Sequence, residues 1–99
     1  MTKMFVTYPA SSDAKFDRDY YTAHHIPLVN RIWGPLGLIS ATAFFPSPTD
    51  NGNLAICECV FTGESALKAA LDSPDTPVVM DDVKNFTAIE PVILKGVAL

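Results

Sequence analysis

The chain has 99 residues, 48% of them hydrophobic and 18% charged, and a formal net charge of −4. That is enough apolar side chain for one core in one domain spanning residues 1–99, and too little charge for a disordered segment. Seven basic residues against eleven acidic ones, with no Lys/Arg cluster, leave no electrostatic footing for nucleic acid or an anionic membrane.

No apolar run approaches the roughly 20 residues that cross a bilayer. The opening MTKMFVTYPA lacks the long apolar stretch of a signal peptide. A cytoplasmic protein is the expectation. In chain order, TKMFVTY reads as a strand stopped by Pro9, and Ser12 or Asp13 stands where a helix cap is needed. Helical spacing then runs from Phe16 to Trp33, with one stripe through Phe16, Tyr20, Ala23, His24, Pro27 and Leu28. A second stripe overlaps it through Tyr21, His25 and Leu28. WGPLG ends the helix at Gly34 and Pro35. LISATAFF is a strand, PSPTDNGN a polar hairpin connection and LAICECVF a third strand. Gly63 breaks that strand ahead of the short helix ESALKAALDS. PDTPVVMDDVKNF is irregular or a short helix, and TAIEPVILKGVAL closes the chain as a strand.

The order βαββαβ predicts an α+β, ferredoxin-like domain: a four-stranded antiparallel sheet with both helices on one face. In AICECVF, Ala55, Cys57, Cys59 and Phe61 can face the helices, which turns Ile56, Glu58 and Val60 away. A sheet apolar on both faces and covered on one needs a second cover. Pairing of the open face with a second copy would supply it, so a homodimer is expected.

His25 is the first candidate for chemistry. Pro27 has no N–H to bond the carbonyl of Ala23, so the helix should kink or restart near Ile26 and set His25 at the joint. Burial there would hold the imidazole neutral, as a proton shuttle requires. The plainer alternative is a histidine that satisfies a carbonyl freed by the proline. His24 points about 100° around the helix and reads as a surface or packing residue. Adjacent histidines diverge, unlike the i, i+4 pair of a zinc helix, so no metal is expected. Cys57 and Cys59 read as buried reduced thiols.

An aromatic lining for a flat ligand is available from Tyr8, Tyr20, Tyr21, Trp33, Phe44 and Phe86, most of which core packing would equally explain. Glu58, mid-strand on the open face, is an acid or base if that face lines a dimer cleft, and otherwise solvated. Asp82 either decorates a helix or orients a histidine.

Two blocks carry a resemblance. YPASSDAKFDRDYYTAHHIPLV, a strand ending in Tyr-Pro, a Phe-Asp helix start, a Tyr-Tyr pair and His-x-Pro-Leu, resembles the N-terminal motif of the EthD family. DDVKNFTAIEPV resembles the family's second block, an acid followed by Asn-Phe-Thr and then Pro, and GESALKAALDSP between them matches in character. The resemblance implies a dimeric α/β barrel of ferredoxin-like subunits. It places the motif histidine at His25, two positions before Pro27, and the acid and aromatic of the second block at Asp82 and Phe86. His24 is a departure and takes no role.

The family name comes from ether degradation, and the wider superfamily includes lactone isomerases, polyketide cyclases and cofactor-free monooxygenases; fold alone does not choose among them. The leading expectation is a cofactor-independent enzyme on a small, mostly apolar carbonyl compound, lactone or phenol. His25 removes a proton, Asp82 orients the imidazole, and Tyr8 or Tyr20 donates to the developing oxyanion. The alternatives are an oxygenase, cofactor-free or haem-dependent, and a non-catalytic dimeric binding or accessory protein.

Overall fold

Residues 1–11, 14–46 and 52–96 are described by a computed structural model of the chain. Four strands, β1 (Thr2–Pro9), β2 (Leu38–Phe44), β3 (Asn53–Phe61) and β4 (Val92–Gly96), form one sheet in the order β2-β3-β1-β4. Every neighbouring pair is antiparallel. That order, with helices on one face only, is the ferredoxin-like arrangement expected from the element sequence.

Register decides which side chains meet the helices. Met4, Val6 and Tyr8 stand opposite Cys59, Cys57 and Ala55, and the two sets share the helix-covered face. All but Val6 are buried, as is Phe61 at the end of β3. The opposite face carries Phe5, Phe44, Ile56, Val60, Val92 and Leu94, broken by Glu58 and Lys3, which pair at 3.4 Å. Phe44 and Leu94 are each 50% exposed there, so half of a large apolar side chain meets solvent. The two-faced sheet read from AICECVF is therefore present.

The first helix is one rod in three parts: α1 (Arg18–Tyr20), a π-helical turn (Tyr21–His25) and α2 (Ile26–Trp33). Asp17 caps it, its carboxylate accepting from the Tyr20 N–H at 3.0 Å. The expected caps Ser12 and Asp13 lie outside the described residues. The α-helical pattern restarts at Ile26, as Pro27 requires, but the joint is a π turn and not a break: the Ile26 N–H reaches the carbonyl of Tyr21.

Of the two expected stripes, the core takes the second at Tyr21 and His25 and not the first. Tyr21, His25, Val29 and Trp33 face the core, while Ala23, His24 and Pro27 are exposed. Four-residue steps drift about 40° each on an α-helix, about 120° from Tyr21 to Trp33. A π turn absorbs one extra residue and takes back about 100° of that drift, which aligns the four side chains.

After α2 the chain runs through a 3-10 turn (Gly34–Leu36), and the left-handed cap is Gly37, at φ 115°, not Gly34. The segment after β3 forms α3 (Glu64–Asp72) and then α4 (Thr76–Asp82), continued by a 3-10 turn (Val83–Asn85). The Trp33 indole N–H donates to the Thr76 hydroxyl at 3.0 Å, and that hydroxyl donates to the carbonyl of Ala70. The start of α4 is thereby tied to α2 and α3, which fixes the helix that carries Asp82. The connection 46–53 lies largely outside the described residues, as do residues 97–99 at the end of the expected last strand.

Candidate active site

The π turn aims His25 inward, where it is 4% exposed. Its ring stacks on Tyr21, with centroids 5.5 Å apart, and meets Phe86 at 4.7 Å. Nδ1 lies 3.0 Å from Oδ2 of Asp82, brought from the end of α4. The other oxygen, Oδ1, accepts from the Tyr20 hydroxyl at 2.6 Å and from the Asn85 amide at 2.9 Å.

Burial pushes His25 below its ordinary value of 6.5, and the Asp82 hydrogen bond and charge oppose this only in part. Burial alone would raise Asp82, but the hydrogen bonds from Tyr20, Asn85 and His25 hold it below 3.8. The pair at neutral pH is thus an aspartate beside a neutral imidazole. Nδ1 carries the proton toward Asp82, and Nε2 keeps the lone pair.

His25 lines a partly open cavity of about 20 Å³ between sheet and helices, room for about one water. Val6, Tyr8, Cys57, Cys59 and Ile93 form its sheet wall. Tyr21, Ile26, Val29 and Trp33 come from the first helix, and Val79, Met80 and Val83 from α4 and its extension. Tyr8 is 1% exposed, and burial pushes its phenol pKa well up, so the hydroxyl stays a donor; among the described residues it has no protein hydrogen-bond partner. Tyr21 is likewise held protonated, first by burial. Cys57 and Cys59 are free thiols with sulfurs 3.7 Å apart. The bond between them keeps Cys59 protonated, reinforced by burial.

The residues named from sequence separate into three places. His25, Tyr8 and Tyr21 line the cavity, and Trp33 joins them. Asp82 and Tyr20 stand behind His25, where the Tyr20 hydroxyl is engaged with Asp82 and not turned toward a ligand. Phe86, 4% exposed, packs against Tyr8, Phe16 and Tyr21 at 5.0–5.6 Å and backs the imidazole from outside the cavity. Phe44 and Glu58 lie on the opposite face of the sheet, so they do not share a space with His25. His24 is exposed against the Tyr20 ring.

Sequence reasoning missed Asn85, Met80, Val79 and Ile93. Asn85 carried a signal, standing three residues after Asp82 on one helical face. The apolar lining carried none that distinguishes it from core. The Asn-Phe-Thr block now reads physically: Asn85 bonds Asp82, Phe86 seats His25, and the Thr87 hydroxyl donates to the carbonyl of Lys15 at 2.7 Å.

Among the described residues no group of three or more His, Cys, Asp or Glu gathers as metal ligands, and no helix is long and apolar enough to cross a membrane. Residues 9–90 match the family model described as the EthD domain. The chain belongs to the EthD family. An EthD-like protein from Ralstonia eutropha JMP134 superposes with a TM-score of 0.83 at 25% identity, over 96% of this chain and 88% of that one. An EthD family protein from Bacillus halodurans C-125 gives 0.72 at 20% identity, covering 100% and 99%. SnoaB, a cofactor-independent oxygenase from Streptomyces nogalater, gives 0.62 at 13% identity, covering 99% and 95%, a likeness of fold alone. Among curated proteins none matches the chain.

Proposed function

We propose that this EthD-family protein is a cofactor-independent enzyme that moves a proton on a small, mostly apolar carbonyl compound, lactone or phenol. The observation that carries this is the buried His25, held at Nδ1 by Asp82 at 3.0 Å and lining a mostly apolar cavity. With Nδ1–H donated to Asp82, Nε2 accepts the substrate proton, and Asp82 stabilises the imidazolium that results. The Tyr8 hydroxyl donates to the oxygen on which negative charge collects. The imidazolium then returns its proton to another atom of the substrate, so no electrons are gained or lost.

α-Proton exchange of acetophenone in D2O, followed by NMR, tests the role of His25. His25→Gln is expected to lose about 10²–10⁴-fold of the catalysed rate. Exchange at the native rate in that variant would remove His25 from the chemistry.

A second reading, oxygen addition to a phenolate, begins with the same proton removal, and the apolar cavity supports it equally. Oxygen uptake with a phenol probe separates the two. A protein that binds ligand but shows neither exchange nor uptake is the binding module. The exposed apolar sheet face supports association of two copies, face to face.

A further inference from the structure

The wall of the cavity contains no cation. All seven Lys and Arg side chains fall among the described residues, and none lines it. Lys3 pairs with Glu58 across the sheet, and Arg18 lies over the Phe45 ring. Lys68 and Lys95 border one separate surface depression, and Lys15 and Lys84 another, while Arg31 is exposed on α2. The charged group hydrogen-bonded to the lining is Asp82, an anion, one imidazole away. A carboxylate or phosphate entering here would give up its water, meet no counter-charge and approach Asp82. An uncharged carbonyl or phenol meets apolar wall and the Tyr8 hydroxyl.

The way in is equally restricted. Tyr8, Tyr21, Cys59 and Trp33 are 2% exposed or less, whereas Met80 is 37% and Ile93 40% exposed. Those two side chains, one on α4 and one on the edge strand β4, are the solvent-reaching part of the lining, the mouth that must part for any compound larger than the one water the cavity holds.

We infer that the pocket admits only uncharged compounds, past Met80 and Ile93, and rejects carboxylates of the same shape. This rests on reading the cavity as the ligand site, but not on His25 being a base. Acetophenone and benzoate are a matched pair that differ chiefly in charge, and binding is followed on the methyl resonance of Met80 and the Tyr8 ring at pH 7.

Acetophenone is expected to shift both signals and to bind at least about tenfold more tightly than benzoate. Met80→Lys, at a half-exposed position the fold tolerates, is expected to gain benzoate binding by placing a cation at the mouth. Benzoate binding the native protein as tightly as acetophenone overturns the inference. So does acetophenone leaving the Tyr8 ring unmoved in both the native protein and Met80→Ala, where the mouth is wider. Continued exclusion of benzoate from Met80→Lys removes the electrostatic basis. A protein that binds acetophenone selectively yet exchanges none of its protons keeps this inference and loses the catalytic one.

Discussion

Asp82 divides its two oxygens between opposed demands. Oδ2 supports the imidazole of His25, while Tyr20 and Asn85 draw charge to Oδ1. Tyr20 therefore moderates the imidazole: the more of the aspartate's charge it takes, the less remains to favour imidazolium. Tyr20→Phe is expected to raise the His25 titration point, and Asp82→Asn to lower it further by leaving desolvation unopposed. An NMR titration of the imidazole Cε1–H reads both, and shifts of the same sign would show that Tyr20 does not act through Asp82. His25 and Asp82 were legible as separate candidates, since each residue type has a known place in proton transfer. That Tyr20 serves Asp82 and not the ligand was not legible, because a helical tyrosine's partner depends on which helix packs beside it.

Pro27 reads differently once the helix is seen. A missing N–H at that position leaves a gap in the α ladder, and the π turn accommodates it by wider hydrogen bonds while His25 and Ile26 at the joint keep right-handed helical angles. The gain is alignment: four side chains four residues apart reach the core together. The end of the same helix depends on Gly37. A Cβ there would stand 2.5 Å from the Ala66 Cβ, and its φ of 115° is one that L side chains rarely adopt. Gly37→Ala is expected to cost about 2 kcal/mol or more, seen as a lower urea midpoint with an unchanged slope. The first three strands were legible from alternation to within a residue at each end, whereas the last begins at Val92, five residues after the expected Thr87. The sequence pointed to the correct joint near Ile26 and to two overlapping stripes, of which the second holds the buried Tyr21 and His25; its continuation through Val29 and Trp33 was not legible, because a period of 3.6 assumes no inserted residue.

Across the whole molecule, acid should loosen the fold in two steps. An unfolded His25 binds a proton near pH 6.5, while the folded one resists until lower pH, so stability falls as pH drops below about 6.5. Asp82 adds a second loss below about pH 3.8, where the unfolded carboxylate protonates and the folded one does not. Urea midpoints across this range should fall with acid, and His25→Gln should flatten the upper step.

The open sheet face makes its own prediction: Leu94→Glu, in the middle of the exposed apolar set, should shift sedimentation from dimer to monomer with the helix content unchanged. Alternation and element order by themselves determined the sheet, its helix-covered side and the surplus of apolar surface on the other, since these follow from periods of two and 3.6 residues. Only the tertiary structure placed the cavity beside His25 under the helices and not on the open face. Phe44 and Glu58 are separated from His25 by the thickness of the sheet, and local spacing carries no information about which distant element closes over a face.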